Sequence, residues 1–517
     1  MNATRYIQKA MATLRSSALP WVSMGVFLAA GAHAQSTSKL WGSDGSKWTP
    51  QSRLPDFSFA GYHCGESPIP SVPLAANVKE FGAKGDGKTD DTEAIRKAIE
   101  STQQGAILVP AGRYVLTGQL AINRSGIVLR GEGIGRTVFY IPKSLEEIHG
   151  SAKIDGYKSA WSFAGGFVEF QGDQKGDLLA EVTIPAKRGD SKLTLSRTEG
   201  ITPGSWVRLL MNNDPALGRY LHADQADAGP ATLDECRGHL CDWAARVKAV
   251  EGSAIVLDRP LRLNVKLEWA PEIYSWQPIV EEAGLEGITF EFKGTEKKPH
   301  LEEEGFNAVQ MGNAVNCWVR NIEVIDADCG VLVFGSRFCA IEGFQAKTAR
   351  RRGAETGHHA LWVKGSQDCL VTGFAIKTTY SHDLSVEGFA NGNVFEAGEA
   401  VAIAFDHHAS APYENLFTQI KTGDPARFWN SSGHESRGPH AGARTTFWNV
   451  DYKRGVLPPV PAWPQINVIG VKRAGSSSSG KRNEWIEQAG NINPPNLYRA
   501  QLQRRLKTVS GLKRKSL

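Results

Sequence analysis

This chain of 517 residues has little separated charge, no long apolar run beyond its first 34 residues, and few cysteines. Lysine and arginine number 59 against 54 aspartates and glutamates, a balance that does not suggest a general nucleic-acid binder. No segment after residue 34 is apolar enough to span a bilayer, so stable membrane insertion is not expected of a mature form. Seven cysteines, Cys64, Cys236, Cys241, Cys317, Cys329, Cys339 and Cys369, are too few for a disulfide scaffold. Cys236 and Cys241 flank a short polar loop where export would permit a disulfide, and no second pair makes them a metal signature. The glycine-rich stretch 82–88 lacks the Gly-Lys-Ser/Thr spacing of a phosphate-binding loop. A helical stripe of three or four turns is also missing from residues 364–430.

What stands there instead is a set of short apolar runs, Cys369–Ile376, Val401–Phe405 and Leu416–Ile420, separated by tight polar turns. Each has strand length, is rich in branched and aromatic residues, and is bounded by Gly, Asn or Asp. A Gly or Asn followed by a branched or aromatic residue recurs at Gly287, Asn321, Gly343, Gly373, Asn393, Asn415, Asn449 and Asn467. The separations are 34, 22, 30, 20, 22, 34 and 18 residues. A period near twenty with room for inserted loops reads as a solenoid whose units bury their apolar faces by stacking. Strands this short, without intervening helices, fit the coils of a parallel β-helix. Gly and Asn suit its corners because both tolerate left-handed backbone. An antiparallel sandwich is the alternative. Cys317, Cys339 and Cys369 each precede a repeat anchor and read as small apolar residues stacked inside the coil.

Ahead of the repeat, Arg5, Lys9 and Arg15, the apolar run Val22–Ala30 and Ala32-His33-Ala34 read as a signal peptide over 1–34. A retained anchor is the alternative. Residues 35–75 read as an extended arm. Asp90 or Asp91 then caps a helix whose apolar face is Ala94, Ile95, Ala98 and Ile99. The run VKEFGAKGDGKTDDTEAIRKAIES, with GAILVPAGRYVLTGQLAI and IVLRGEGIGRT after it, resembles the N-terminal cap of the pectate-lyase superfamily. The resemblance implies an all-β, right-handed parallel β-helix over 76–475 with an N-terminal capping helix. It does not imply one reaction, since lyases, hydrolases, epimerases and phage tailspikes share the fold. The paired-Asp motifs of polygalacturonases and the Asp and Arg signature of calcium-dependent pectate lyases are not found. Alternating segments Lys192–Leu195, Trp206–Leu210, Ala254–Leu257 and Leu261–Val265 read as an inserted β-subdomain at about 180–270, one wall of a cleft or a structural insert. The tail, 476–517, reads as a short helix over Asn496–Leu506 and a disordered end.

The turns of the repeat carry the chemistry. His358, His382 and Asp406 are each 24 residues apart, as are His359, Asp383 and His407. Taking Val363, Val386 and Phe405 as inward positions instead places Lys364, Glu387 and Asp406 on the outer face. The two registers disagree, and Asp406 belongs to both. Equivalent positions on stacked rungs lie about 4.8 Å apart, within reach for an imidazole and a carboxylate to exchange protons. A polar ladder that satisfies turn backbone is the alternative. Trp362, His434, Arg437 and the run Arg350, Arg351 and Arg352 surround this set and can bind an anionic sugar. A solvated face is the bland reading of that run.

These residues point to a secreted or periplasmic enzyme acting on a uronic-acid polysaccharide. β-Elimination needs a base, for which His382 or Tyr380 stands, and an acid, for which His407 or His408 stands. Arg437 would clamp the carboxylate, with His358, His359, Lys364 and Glu387 lining the site. A hydrolase would use Asp383 and Asp406 instead. A non-catalytic polysaccharide-binding coil is the reading from a different class. No metal ligands are assigned, a calcium ion is left open, and a monomer is expected with the oligomeric state open.

Overall fold

The computed structural model describes residues 36–515 except 155, 157, 237, 452–462, 471–482 and 488–491. The expected signal peptide and the start of the tail, 476–482, lie outside the described residues. Among the described residues, three parallel sheets of twelve, eight and seven strands run side by side. Successive coils visit them in turn. Gly284–Glu286, Thr289–Phe292 and Asn307–Gly312 form one coil, and Trp318–Arg320 begins the next, paired in register on Gly284–Glu286. Parallel strands joined by crossovers wind right-handed. The result is a right-handed parallel β-helix.

From Gly284–Glu286 to Asn467–Ile469, the corner after each strand of the twelve-stranded sheet takes one left-handed residue. Gly287 (φ 66°), Asn321 (φ 53°), Gly343 (φ 70°), Gly373 (φ 66°) and Asn449 (φ 49°) supply it, and Ala397 and Gln419 do so in two coils. Asn393 and Asn415 belong elsewhere: they precede the strands Val394–Glu396 and Leu416–Thr418, where Asn393 Nδ2 donates to Asn415 Oδ1 at 3.0 Å. Asn467 opens a strand. The recurring Gly and Asn residues therefore mix two positions of the coil.

Inside, Phe395, Phe417 and Phe447 stack with centroids 4.9 and 5.0 Å apart. Fully burying such a ring contributes on the order of 2–3 kcal/mol. Cys317, Cys339 and Cys369 are buried and free, as expected. Cys236 and Cys241 are free too, which corrects the possible disulfide. The Cys236 thiol turns to the carbonyl of Leu233, and that of Cys241 to Leu209.

At the N-terminal end, α1 (Thr92–Ser101) buries Ile95, Ala98 and Ile99 in the main core. Asp90 accepts the Thr92 N–H at 3.0 Å, while the Asp91 carboxylate accepts from Lys84 and Gly85 N–H and ties down the preceding loop. Between residues 178 and 276 lies a six-stranded antiparallel sheet with its own core around Trp243 and Trp269. Lys192–Thr194, Trp206–Asn212 and Ala254–Leu257 are strands of it. Leu261–Val265 is not a strand: its buried Arg262 reaches back to Asp368 and Glu414 of the coil. Helix α2 spans Leu497–Lys515, so the expected disordered end is helical as far as Lys515; no proline interrupts it. The arm residues Trp41, Trp48, Leu54 and Phe57, with Leu497 and Tyr498 of α2, cover Leu370, Val394, Leu416, Trp448 and Ile469 on the outside of the twelve-stranded sheet. No helix among the described residues is long and apolar enough to cross a membrane.

Candidate functional site

Four strands of the seven-stranded sheet build the site: β1 (Cys329–Phe334), β2 (Gly357–Lys364), β3 (Tyr380–Glu387) and β4 (Phe405–His407). Val363 pairs with Val386 and Lys364 with Glu387, as the apolar pattern predicts. At the next rung the register slips by two: Leu384 faces Phe405, Ser385 faces Asp406 and Val386 faces His407. His382 stacks on His359, not on His358. Neither sequence register is right throughout. The inward column must interlock, and Phe405 fits over Leu384 because its ring packs on Phe417, Phe428 and Phe447.

The slip decides which residues meet. Asp406 lies outward and fully buried between two imidazoles. The Nδ1–H of His408 donates to Asp406 Oδ2 at 2.9 Å, and His382 Nδ1 lies 3.3 Å from the same oxygen. The Ser385 hydroxyl donates to that oxygen at 2.9 Å, and the Ser432 N–H to Oδ1 at 2.8 Å. Burial opposes the charge on Asp406, but His408, His382 and Ser385 together hold its carboxyl well below the usual carboxylate range. The two imidazoles part company. Burial pushes His382 down to about 4, outweighing Asp406. In His408 burial is overcome by Asp406 and Glu387, and its pKa is raised.

Beside this group Glu387, itself buried, holds two cations. Lys364 Nζ is 3.0 Å away and Arg437 Nη1 donates at 2.7 Å. Two positive groups thus meet on one carboxylate. A groove of about 960 Å³ opens there, with Phe334, Lys364 and Glu387 from the coil facing Lys175, Asp177, Arg208 and Tyr274. The inserted sheet thus supplies one wall of the groove.

His358 and His359 are buried, and burial followed by the neighbouring imidazoles keeps both well below the ordinary histidine value. Trp362 is buried as well, stacked at 4.0 Å on His359 and edge-on to Phe334, so it backs the site and offers no open face to a sugar. Several expected residues fall outside the site. His407 points into the coil, 4.1 Å from Trp463, because it occupies the inward column above Val386. Tyr380 is buried in the same core, and burial drives its hydroxyl far above its ordinary value. Asp383 accepts the N–H groups of Tyr380 and Ala404, and burial raises it to about 6 against the pull of Arg427. It braces the β3–β4 connection.

Arg350 and Arg351 are exposed, whereas Arg352 is buried and donates to Asp328 Oδ1 at 2.9 Å and to the carbonyls of Thr295 and Thr356. The arginine run is therefore two surface residues and one internal brace. His434 is exposed and accepts the Ser436 N–H of a single turn. His300 was missed. It sits in the charged loop that lengthens the 34-residue spacing between Gly287 and Asn321, and its ring lies 4.7 Å from His358 and 5.6 Å from His382. A histidine in an overlong repeat was the available signal.

A calcium ion does not fit these residues. It takes six to eight oxygen ligands, and the groups with ligand-like spacing, His300/His358/His382 and His382/Asp406/His408, contain one carboxylate between them. Imidazole is the donor they offer.

Residues 75–167 match the model of the family described as rhamnogalacturonase A/epimerase, pectate lyase-like. That segment is similar to the pectate-lyase-like family, and the coil that follows it is a parallel β-helix. Alginate lyase 7 of Azotobacter vinelandii is 40% identical over 80 residues, 14% of this chain and 9% of that protein. Mannuronan C5-epimerase AlgE1 of the same organism is 40% identical over 75 residues, 13% of this chain and 5% of its own. This chain thus spans under a tenth of the length of either relative. Among solved structures, the tailspike gp61 of Pseudomonas phage phi297 aligns over 81% of this chain and 79% of its own at 14% identity, with a TM-score of 0.46. An exopolygalacturonase of Thermotoga maritima aligns over 82% and 79% at 10% identity, with a TM-score of 0.31. The family match ends at residue 167, before any residue of the site.

Proposed function

We propose that this protein is an exported enzyme that cleaves a polyuronate by β-elimination. The observation that carries the reading is one buried carboxylate, Asp406, orienting the partly exposed imidazole of His408 beside the cations of Lys364 and Arg437. With Nδ1 committed to Asp406, neutral His408 presents Nε2 to substrate. That nitrogen takes the proton from the carbon next to the uronate carboxylate. Lys364 and Arg437 face the charge that builds on the carboxylate as the C–H bond breaks. The double bond forms as the glycosidic C–O bond breaks, and the protonated His408 returns its proton to the leaving oxygen. Short likenesses to an alginate lyase and a mannuronan epimerase support alginate-type polymers as the substrate class.

Hydrolysis is less well served. It needs two carboxyl groups facing one gap, and Asp383 is engaged by backbone N–H groups while Glu387 is held by Lys364 and Arg437. Purified protein incubated with a panel of polyuronates should release products with the ultraviolet absorbance of an unsaturated uronate. Asp406→Asn should lower that rate about 10²–10⁴-fold. Saturated products that take oxygen from labelled water would replace elimination by hydrolysis. Binding without any product would make the coil a polysaccharide-binding module.

A further inference from the structure

Two buried imidazoles that face carboxylates remain incompletely explained by hydrogen bonding. Among the described residues, buried His358 finds no hydrogen-bond partner for either ring nitrogen, and buried His382 finds none for Nε2. Buried ring nitrogens are expensive to leave unpaired. Their other nitrogens face carboxylates: His382 Nδ1 is 3.3 Å from Asp406 and His358 Nδ1 is 3.5 Å from Glu303 Oε2. Glu303 is fixed in turn by the Ser162 hydroxyl at 2.7 Å and Lys297 at 2.8 Å. Carboxylate on one nitrogen and a vacant lone pair on the other is how metal-ligating histidines are oriented. The exposed ring of His300 approaches from the solvent side, and one nitrogen from each of His300, His358 and His382 lies within 4.8 Å of the others.

We propose that His300, His358 and His382 bind a divalent transition-metal ion of the zinc class. Imidazole donors suit such ions and disfavour calcium and magnesium. Ligand nitrogens about 2.0–2.1 Å from a tetrahedral ion lie roughly 3.4 Å apart. Closing from the present spacing asks for about 1 Å of side-chain movement, which the loop-borne His300 can supply. Three protein ligands leave the fourth position open. The neighbouring trio of His382, Asp406 and His408 is the weaker candidate, because Asp406 already receives hydrogen bonds from His408, Ser385 and Ser432. If the proposed elimination is right, the ion also lies one imidazole away from the Asp406–His408 pair and adds a third cation, beside Lys364 and Arg437, facing the uronate.

The test measures binding and needs no turnover. Untagged full-length chain, stripped with chelator, is dialysed against Zn²⁺, Co²⁺ or Ca²⁺, and bound metal is read by mass spectrometry. We expect one Zn²⁺ or one Co²⁺ per chain, no retained Ca²⁺, and cobalt d–d bands of a four- or five-coordinate site. His300→Ala, on an exposed side chain that should not disturb folding, should weaken Zn²⁺ binding at least 100-fold and abolish the rise in Tm that Zn²⁺ produces in the parent. His358→Ala should do the same. Asp406→Asn should weaken binding about 10–100-fold, as loss of an orienting carboxylate does. Failure of the parent to retain Zn²⁺, or undiminished binding in His300→Ala, would overturn the proposal. Loss in His408→Ala with full retention in His300→Ala would transfer the ion to the other trio and overturn it equally. None of these outcomes depends on whether a polysaccharide is cleaved.

Discussion

Asp406 shows how much chemistry one residue gathers when its neighbours on adjacent rungs are chosen for it. Its two flanking histidines share one carboxylate yet are pushed in opposite directions, His382 down and His408 up. Groups driven apart in this way divide labour. The residue types were legible in the sequence, because five histidines and six acids lie within residues 358–408. Their directions were not. Whether a histidine faces core or solvent depends on the rung below it, and His407 and His408, adjacent in the chain, end on opposite sides of the sheet. The arginine run teaches the same lesson. Arg350→Gln and Arg351→Gln should change stability by less than about 0.5 kcal/mol, as exposed substitutions do. Arg352→Gln should cost about 3–5 kcal/mol, because it leaves Asp328 charged and buried without its partner. Urea denaturation of the three variants separates them. Equal midpoints would show that Arg352 braces nothing.

At the scale of the strand, turn chemistry was easier to read than pairing. The Gly and Asn residues at the corners are visible in a single sequence because left-handed backbone restricts which residues fit. Register is a relation between two segments far apart, and a slip of two residues keeps the inward and outward alternation intact. That is why apolar alternation paired β2 with β3 correctly and failed at β4. The Asn393–Asn415 ladder is a separate device, holding successive rungs from inside the wall. Asn415 accepts from Asn393 Nδ2 at 3.0 Å and donates to the Ala390 carbonyl at 2.8 Å. Asn415→Ala strands these buried groups and should destabilise the protein by about 2 kcal/mol. A lowered midpoint in chemical denaturation is the expected reading. An unchanged midpoint would mean that the ladder is dispensable.

Across the whole molecule, the antiparallel insert and the coil are joined by buried ion pairs. Glu414 receives Arg188 at 2.7 Å and Arg444 at 2.8 Å, with Arg262 at 3.4 Å; Arg262 also pairs with Asp368, which Arg259 meets at 3.0 Å. Burial alone would raise the Glu414 pKa, but the arginines bring it down to about 2 from 4.5. A carboxyl with a depressed folded pKa contributes stability above its unfolded value and loses it as pH falls toward the folded one. Stability should therefore decline between about pH 4.5 and 2, by on the order of 3 kcal/mol from this residue. Glu414→Gln should flatten that part of the pH–stability curve while lowering its plateau. A mutant curve that keeps the parent's slope would assign the acid sensitivity to other groups. None of this seam was legible in the sequence, since its partners lie between 30 and 226 residues apart.

The arm and α2 add a consequence of another kind. A stack of coils in which each touches only its neighbours can fray one rung at a time from an open end. Here a strap of Trp41, Trp48, Leu54, Phe57, Leu497 and Tyr498 lies across five consecutive rungs, from Leu370 to Ile469, and is itself tied by the Tyr498 hydroxyl to the Ala60 carbonyl at 2.8 Å. No one of those rungs can peel away without lifting the strap from the rest. Seen as a mechanical object, this end of the molecule behaves less like a zipper than like a bound book, whose pages stay together until the spine gives way.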